Sequence, residues 1–328
     1  MTATPNGISE QEMLSAIRRI VSGIEFFSFE VGISFPDAVK KTEARKKAID
    51  FVCAELGKTH MRDGFDLYIL LDLQTGSAQA TPQSVYVGGK YNKFSRKLAQ
   101  TFHYCFKCKG RGNGCSMCKG TGKLSENSVQ ETLEKHFLPC FGAKEGKFHG
   151  CGREDVDVLM LGSGRPFVLE LVEPKKRLQD LPSLEKKINS ENPGAVAVHG
   201  LAYCQKERVA QLKTGEFSKI YSAKCGCELP VSEAEIKKLQ GQKMEITQRT
   251  PERVEKRRAD KERAKTAQIT KAQKTGENEF SLEILASHGL YIKELISGDG
   301  GRTVPSISSL LGKKCVCKEL DVLEIILK

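Results

Sequence analysis

The sequence predicts an α+β protein in two parts: a small basic domain over residues 1–125 and a larger domain over 126–328. Three observations lead there. The 328 residues suit about two domains, and 39% hydrophobic residues can fill ordinary cores. Beyond residue 126, apolar strand-like runs outnumber helical ones without regular βαβ alternation, which fits a mixed, mostly antiparallel central sheet. Two Cys-x-x-Cys pairs near the end of the first part read as a metal-stapled module.

Taken in order, residues 8–22 carry Ile8, Met13, Ile17 and Ile20 at helical spacing, with Ser9 as a cap. A second helix is expected from Asp37 to Leu56, then a buried strand in DLYILLDLQTG ending at Gly76. SENSVQETLEKHFLPCF reads as an amphipathic helix capped by Ser125 or Ser128, opening the second domain. Strands are expected at DVDVLML, PFVLELV, AVAVHGLAYC, KIYSAKC, FSLEILAS and LDVLEIIL, with helices near Leu184–Ile188 and Ser232–Leu239. Gln248 to Lys271 is expected to be one long charged helix. From Arg249 to Lys265 it carries eight basic and four acidic residues.

Charge narrows the partners. The net charge of +11 and pI near 9.0 call for a polyanion. From Leu73 to Ser125 there is no Asp or Glu, against nine Lys and Arg, with Tyr86, Tyr91, Phe94, Phe102, Tyr104 and Phe106 interleaved. Cations draw phosphates and aromatic faces stack on unpaired bases, so RNA is the expected partner. No apolar run is long enough for a membrane span, and MTATPNGISEQEML lacks the layout of a signal peptide. A cytoplasmic protein without membrane contact is expected.

In that compartment twelve cysteines are not expected to form a disulfide framework. Cys105, Cys108, Cys115 and Cys118 form two Cys-x-x-Cys pairs six residues apart, each leading into glycines. Each pair can set its thiolates about 3.5–4 Å apart, so four close a structural Zn²⁺ site with no room for water. Cys225-Gly-Cys227 and Cys315-Val-Cys317 read as buried strand thiols, a second metal site being the alternative.

The densest motif runs from Gly150 to Phe167, where glycines bracket a polar turn, GCGREDVDV, that enters an apolar strand. A second glycine turn holds Arg165. Arg153 stands two positions from Asp155, and a nearby cation favours the charged form a nucleophile or base needs. From the residues alone, Glu154, Asp155 and Asp157 equally suit a glycosidase, a Mg²⁺ site or structural ion pairs. A zinc-dependent RNA-binding protein without catalysis also stays open.

GREDVDVLMLGSGRPFVLELVEP resembles the signature of the archaeal and eukaryotic tRNA pseudouridine-54/55 synthase family. KIYSAKC, QRTPERVEKRRAD and GLYIKELISGDGGRTVPSISSLL match it in order, and VYVGGKYNKFSRKLAQT resembles its lead-in. The resemblance implies a pseudouridine-synthase fold and isomerisation of uridine in the tRNA T-arm, without redox or nucleotide cofactor. It implies Asp155 as catalytic aspartate, Tyr221 stacked on the target base, and Tyr291, Ile292 and Lys293 lining the pocket. Arg153 and Arg165 are assigned with them to the RNA, and Arg302 would hold a phosphate or orient its loop. The chain departs from the family at Leu159, usually Arg, at Leu290, usually Thr, and in a shorter N-terminal domain.

Overall fold

A computed structural model describes residues 8–257 and 259–327. Of the N-terminal stretch examined for a leader, Met1–Gly7 lies outside them, as does Arg258 of the expected charged helix.

The chain opens with α1 (Glu10–Val21), whose Ser9 and Glu12 form a reciprocal capping box. Next come β1 (Ser28–Ser34), α2 (Ala38–Leu56, capped by Asp37), β2 (Thr59–His60), β3 (Leu67–Asp72) and β4 (Ala78–Pro82). They form a four-stranded sheet in the order β2-β1-β3-β4. Its core joins Ile17 and Val21 of α1 to Phe29, Val52, Leu67 and Ile69.

The larger unit contains β5 (Val85–Lys93), α3 (Val129–Phe141, capped by Ser128), β6 (Glu145–Gly150) and β7 (Leu159–Val172). It continues through α4 (Leu181–Glu191), β8 (Val196–Cys204), α5 (Glu207–Thr214), β9 (Ser218–Cys227) and α6 (Glu233–Leu239). Then come β10 (Lys243–Arg249), a 3₁₀ turn (Glu252–Arg257), β11 (Glu262–Lys274) and β12 (Glu279–Ala286). It ends with α7 (Ile292–Ser297), β13 (Thr303–Val304), α8 (Ile307–Leu311) and β14 (Cys315–Ile326). The ten-stranded sheet runs β13-β10-β11-β12-β9-β14-β7-β5-β8, with β6 also on β7. Among the described residues, the β7–β14 pairing is the only parallel one between strands of this sheet. The predicted mixed, mostly antiparallel α+β architecture is therefore observed.

Four expectations need correction. First, the division expected between residues 125 and 126 does not coincide with the change of sheet. That change falls between Pro82 and Val85, because β5 is hydrogen-bonded between β7 and β8. Second, Gln248–Lys271 is not one helix. Its Lys, Glu, Arg and Ala favour helix intrinsically, but β11 pairs with β10 and β12 along its length and buries Ala267 and Ile269. Third, the strands expected at DVDVLML and PFVLELV are one strand, β7. It starts only at Leu159 and passes through Gly162 and Gly164 at positive φ.

The fourth concerns cysteine. Antiparallel register sets the two C-x-C pairs rung against rung, Cys227 opposite Cys315 and Cys225 opposite Cys317. Cys227 and Cys315 are joined by a disulfide, whereas Cys225 and Cys317 keep their thiols, as expected of strand cysteines.

The small sheet is docked on the large unit through Arg177 in the loop between β7 and α4. Its guanidinium meets Asp66 at 2.9 Å and the Gln83 carbonyl at 2.9 Å. Among the described residues no helix is long and apolar enough to cross a membrane.

Candidate active site

Asp155 stands on the turn between β6 and β7, and everything beneath that turn is anchored. Arg165, fully buried on β7, meets the buried Glu154 carboxylate at 2.7 Å and donates to the Cys151 carbonyl at 2.6 Å. Tyr91 of β5 donates to both Glu154 oxygens, at 2.9 and 3.0 Å. Gln100 donates to the Tyr91 hydroxyl at 2.8 Å and the Gly152 carbonyl at 3.0 Å. Burial opposes the Arg165 charge, but Glu154 together with Tyr91, Tyr221 and Cys151 outweighs it and holds the guanidinium above its ordinary range.

Two more cations fix the far side of the turn. Buried Lys93 donates to the carbonyls of Leu98, Asp155 and Val156 at 2.8, 3.2 and 2.8 Å. Arg96 donates to the Asp157 carbonyl at 2.8 Å and pairs with Asp321 of β14 at 2.7 Å. Residues 93–100 thus brace the turn from beneath, while the Asp155 side chain keeps 46% of its surface open.

The cations that face Asp155 come from elsewhere. Arg253, in the 3₁₀ turn, approaches its carboxylate at 3.0 Å and Glu294 of α7 at 2.6 Å. Lys293 reaches Asp157 at 2.7 Å and Asp155 at 3.7 Å. Asp157 loses some ease of ionising to burial, but Lys293 dominates and lowers its pKa. The start of α7 is fixed by Gln248, whose amide accepts from Tyr291 N at 2.8 Å and donates to Tyr291 O at 3.0 Å.

The predicted residues do not all converge. Asp155, Tyr291 and Lys293 gather at one place, with the Arg253 guanidinium 6.0 Å from the Tyr291 ring centre. Tyr221 on β9 lies beside the Arg165–Glu154 pair. Burial, opposed by Arg165, pushes its phenol up to about 12. Three others do not present themselves to RNA. Arg165 is fully buried, so it supports the turn. Ile292 is buried, packing α7 down. Arg302 donates to the Thr250 carbonyl at 2.7 Å and pairs with Asp260 at 3.2 Å, so it holds the loop carrying Arg253. Arg153 is exposed and makes no hydrogen bond or ion pair among the described residues; its expected place beside Asp155 is taken by Arg253. Sequence reasoning missed Arg253. Its only local signal was Thr250-Pro251, which argues against a continuous helix there.

The four predicted cysteines do converge, with all sulfurs within 4.8 Å of one another. Cys105 and Cys115 stand 3.8 Å apart, Cys108 and Cys118 3.7 Å. A tetrahedral ion with bonds of about 2.3 Å has edges of about 3.8 Å, so the spacing fits Zn²⁺. Gly112 N and Gly122 N donate to Cys108 and Cys118 sulfurs at 3.3 and 3.2 Å. A Cβ at Gly112 would strike the Gly120 carbonyl, and one at Gly122 the Gly110 carbonyl, so the two knuckles interlock only as glycines. The Cys118 amide, ahead of burial, lowers the Cys115 thiol to about 7.

With this geometry in hand, comparison with known proteins settles the lineage. The family described as "Pus10, C-terminal" matches residues 86–326. The chain belongs to the Pus10 family. It is 35% identical to "tRNA pseudouridine synthase Pus10" of Korarchaeum cryptofilum, covering 98% of this chain and 92% of that one. The same-named protein of Methanocaldococcus jannaschii is 37% identical over 96% of this chain and 72% of its own. That of Methanothermobacter marburgensis is 41% identical, over 92% and 79%. Among solved structures the chain is similar to one in "Crystal Structure of a Cbf5-Nop10-Gar1 Complex". That match has 15% identity and a TM-score of 0.32, covering 72% of this chain and 58% of that one. The Pus10 match begins at the second residue of β5, in keeping with the larger unit starting there. Membership makes the chain an enzyme of the tRNA pseudouridine synthase class, an isomerase.

Proposed function

We propose that the chain converts uridine to pseudouridine in the tRNA T-arm, at position 54, 55 or both, with Asp155 as the catalytic carboxylate. The observation that carries this reading is a half-open carboxylate on a fully braced turn, faced by Arg253 and Lys293. A buried salt bridge would be closed to substrate; this one is not. The reaction breaks the N1–C1′ bond, turns the uracil and forms C5–C1′, with the C5 proton lost and N1 protonated. Asp155 attacks C1′ or removes the 2′ proton, and either role needs a fixed, accessible carboxylate.

The uridine leaves its stack at a cost of a few kcal/mol, and stacking on the Tyr221 ring returns roughly 1–3 kcal/mol. Lys293 lies 3.7 Å from Asp155, and Tyr291 precedes it at the start of α7. Cys105, Cys108, Cys115 and Cys118 would hold Zn²⁺, which supplies only structural cross-linking there. The basic aromatic segment around it then meets RNA loops by shape.

Incubating the protein with tRNA tritiated at uridine C5 tests the reading. Tritium release is expected, falling by about 10³-fold or more in Asp155→Asn with tRNA affinity nearly unchanged. Undiminished release in that variant would sink the assignment.

A further inference from the structure

Two buried lysines flank the catalytic turn, and they differ in one respect. The Lys93 ammonium is satisfied by three carbonyls. Lys219, at the start of β9 and only 8% exposed, makes no hydrogen bond or ion pair among the described residues. A buried ammonium without an acceptor is costly and calls for an explanation.

Its surroundings say what it lacks. Lys219 and Tyr221 are two apart on one strand and so share a face. A Cβ at Gly152 would stand 3.3 Å from both Lys219 Nζ and Arg165 Nη1, so the two cations converge under that residue. Gly152 is itself exposed and stands three residues before Asp155 on the same turn, so a side chain there would crowd the ammonium. Arg165 and Arg208 bear with Lys219 on the Cys151 thiol, and Lys265 bears with it on His288. The acidic groups that act on Lys219 are the buried Cys151 thiol and, after it, Glu154, which is already engaged by Arg165 and Tyr91. Burial, then Arg165, lowers the ammonium to about 8. A neutral carbonyl would not offset this gathering of positive charge; an anionic oxygen would.

We propose that Lys219 anchors a phosphodiester oxygen next to the target uridine, received beside the exposed Gly152. This rests on the reading of the chain as a tRNA uridine isomerase. With the base stacked on Tyr221 and the phosphate on Lys219, one strand sets the nucleotide's reach toward Asp155. Losing a contact made equally before and during reaction raises KM and leaves kcat nearly unchanged.

The test uses T-arm stem-loop RNAs with a neutral methylphosphonate at the linkage 5′ or 3′ of the target uridine. The adjoining 2′-hydroxyl is methylated in test and control alike, and affinity is read by filter binding. Wild type should lose about 10- to 100-fold at one of the two linkages. Lys219→Met should lose as much on the control RNA and nothing further on that methylphosphonate, with its tritium-release deficit confined to KM. Wild-type indifference to both methylphosphonates overturns the proposal, and needs no variant to fold. Full additivity in Lys219→Met, or a loss confined to kcat, overturns it in favour of a uracil oxygen. Absence of tritium release from unmodified tRNA by wild type would instead defeat the underlying assignment, and the affinity comparison would still decide the role of Lys219.

Discussion

The four-cysteine knuckle and the Asp155 site are both clusters of ionisable side chains, yet they are built in opposite ways. The knuckle draws every ligand from one stretch of fourteen residues, Cys105 to Cys118, and its glycine-framed turns aim the sulfurs without outside help. The Asp155 site draws on β5, the β6–β7 turn, the 3₁₀ turn after β10 and the start of α7. Its ion pair joins residues 98 apart in sequence. A closed local site is specified by spacing, whereas an open reactive site is specified by what other elements hold in place.

The largest effect should come from removing the support beneath the turn. Arg165→Met leaves Glu154 buried without its cation and is expected to cost about 3–5 kcal/mol of stability in denaturant melts. A loss below about 1 kcal/mol would mean that the turn stands without its buried anchor, and the contrast with the self-contained knuckle would fail. Next comes Arg253→Gln, which should lower kcat/KM by about 10- to 100-fold in tritium release. Fold and zinc content should be unchanged. An unaffected rate would show that Asp155 does not depend on its distant partner.

Cys115→Ser should abolish bound zinc by elemental analysis and weaken tRNA binding by about tenfold, roughly 1.4 kcal/mol. The melting temperature of the large core should hold if the knuckle is local, and a global fall would break the comparison from the other side. The smallest effect belongs to the half-exposed Asp157. Its pKa is lowered in the folded chain by Lys293, so the pair stabilises above the ordinary carboxylate range and is lost as pH falls through the lowered value. Asp157→Asn should therefore cost under about 1 kcal/mol at pH 7 and nothing near pH 2. An equal cost at both would assign that loss to packing.

The two misread segments show where sequence pattern gives out. β11 has the composition of a solvated helix, and only its neighbours β10 and β12 make its alternation count. Arg153 and Arg165 were the arginines nearest Asp155 along the chain. One points to solvent and the other lies under the turn, while Arg253 takes the expected place. The Cys227–Cys315 disulfide likewise depends on the register of β9 and β14, which no spacing within either strand reveals.

By itself the sequence determined the helix cap at Ser9, the α+β class, the four-cysteine cluster and the aspartate-bearing turn. Each of these depends on residues within a few turns of chain, where backbone geometry translates spacing directly into distance. Tertiary structure alone decided which cation meets Asp155, which arginine is buried, and that Lys219 stands without a partner among the described residues. Those outcomes depend on strand order and register, which bring segments together through the summed packing of a whole sheet rather than through any local pattern.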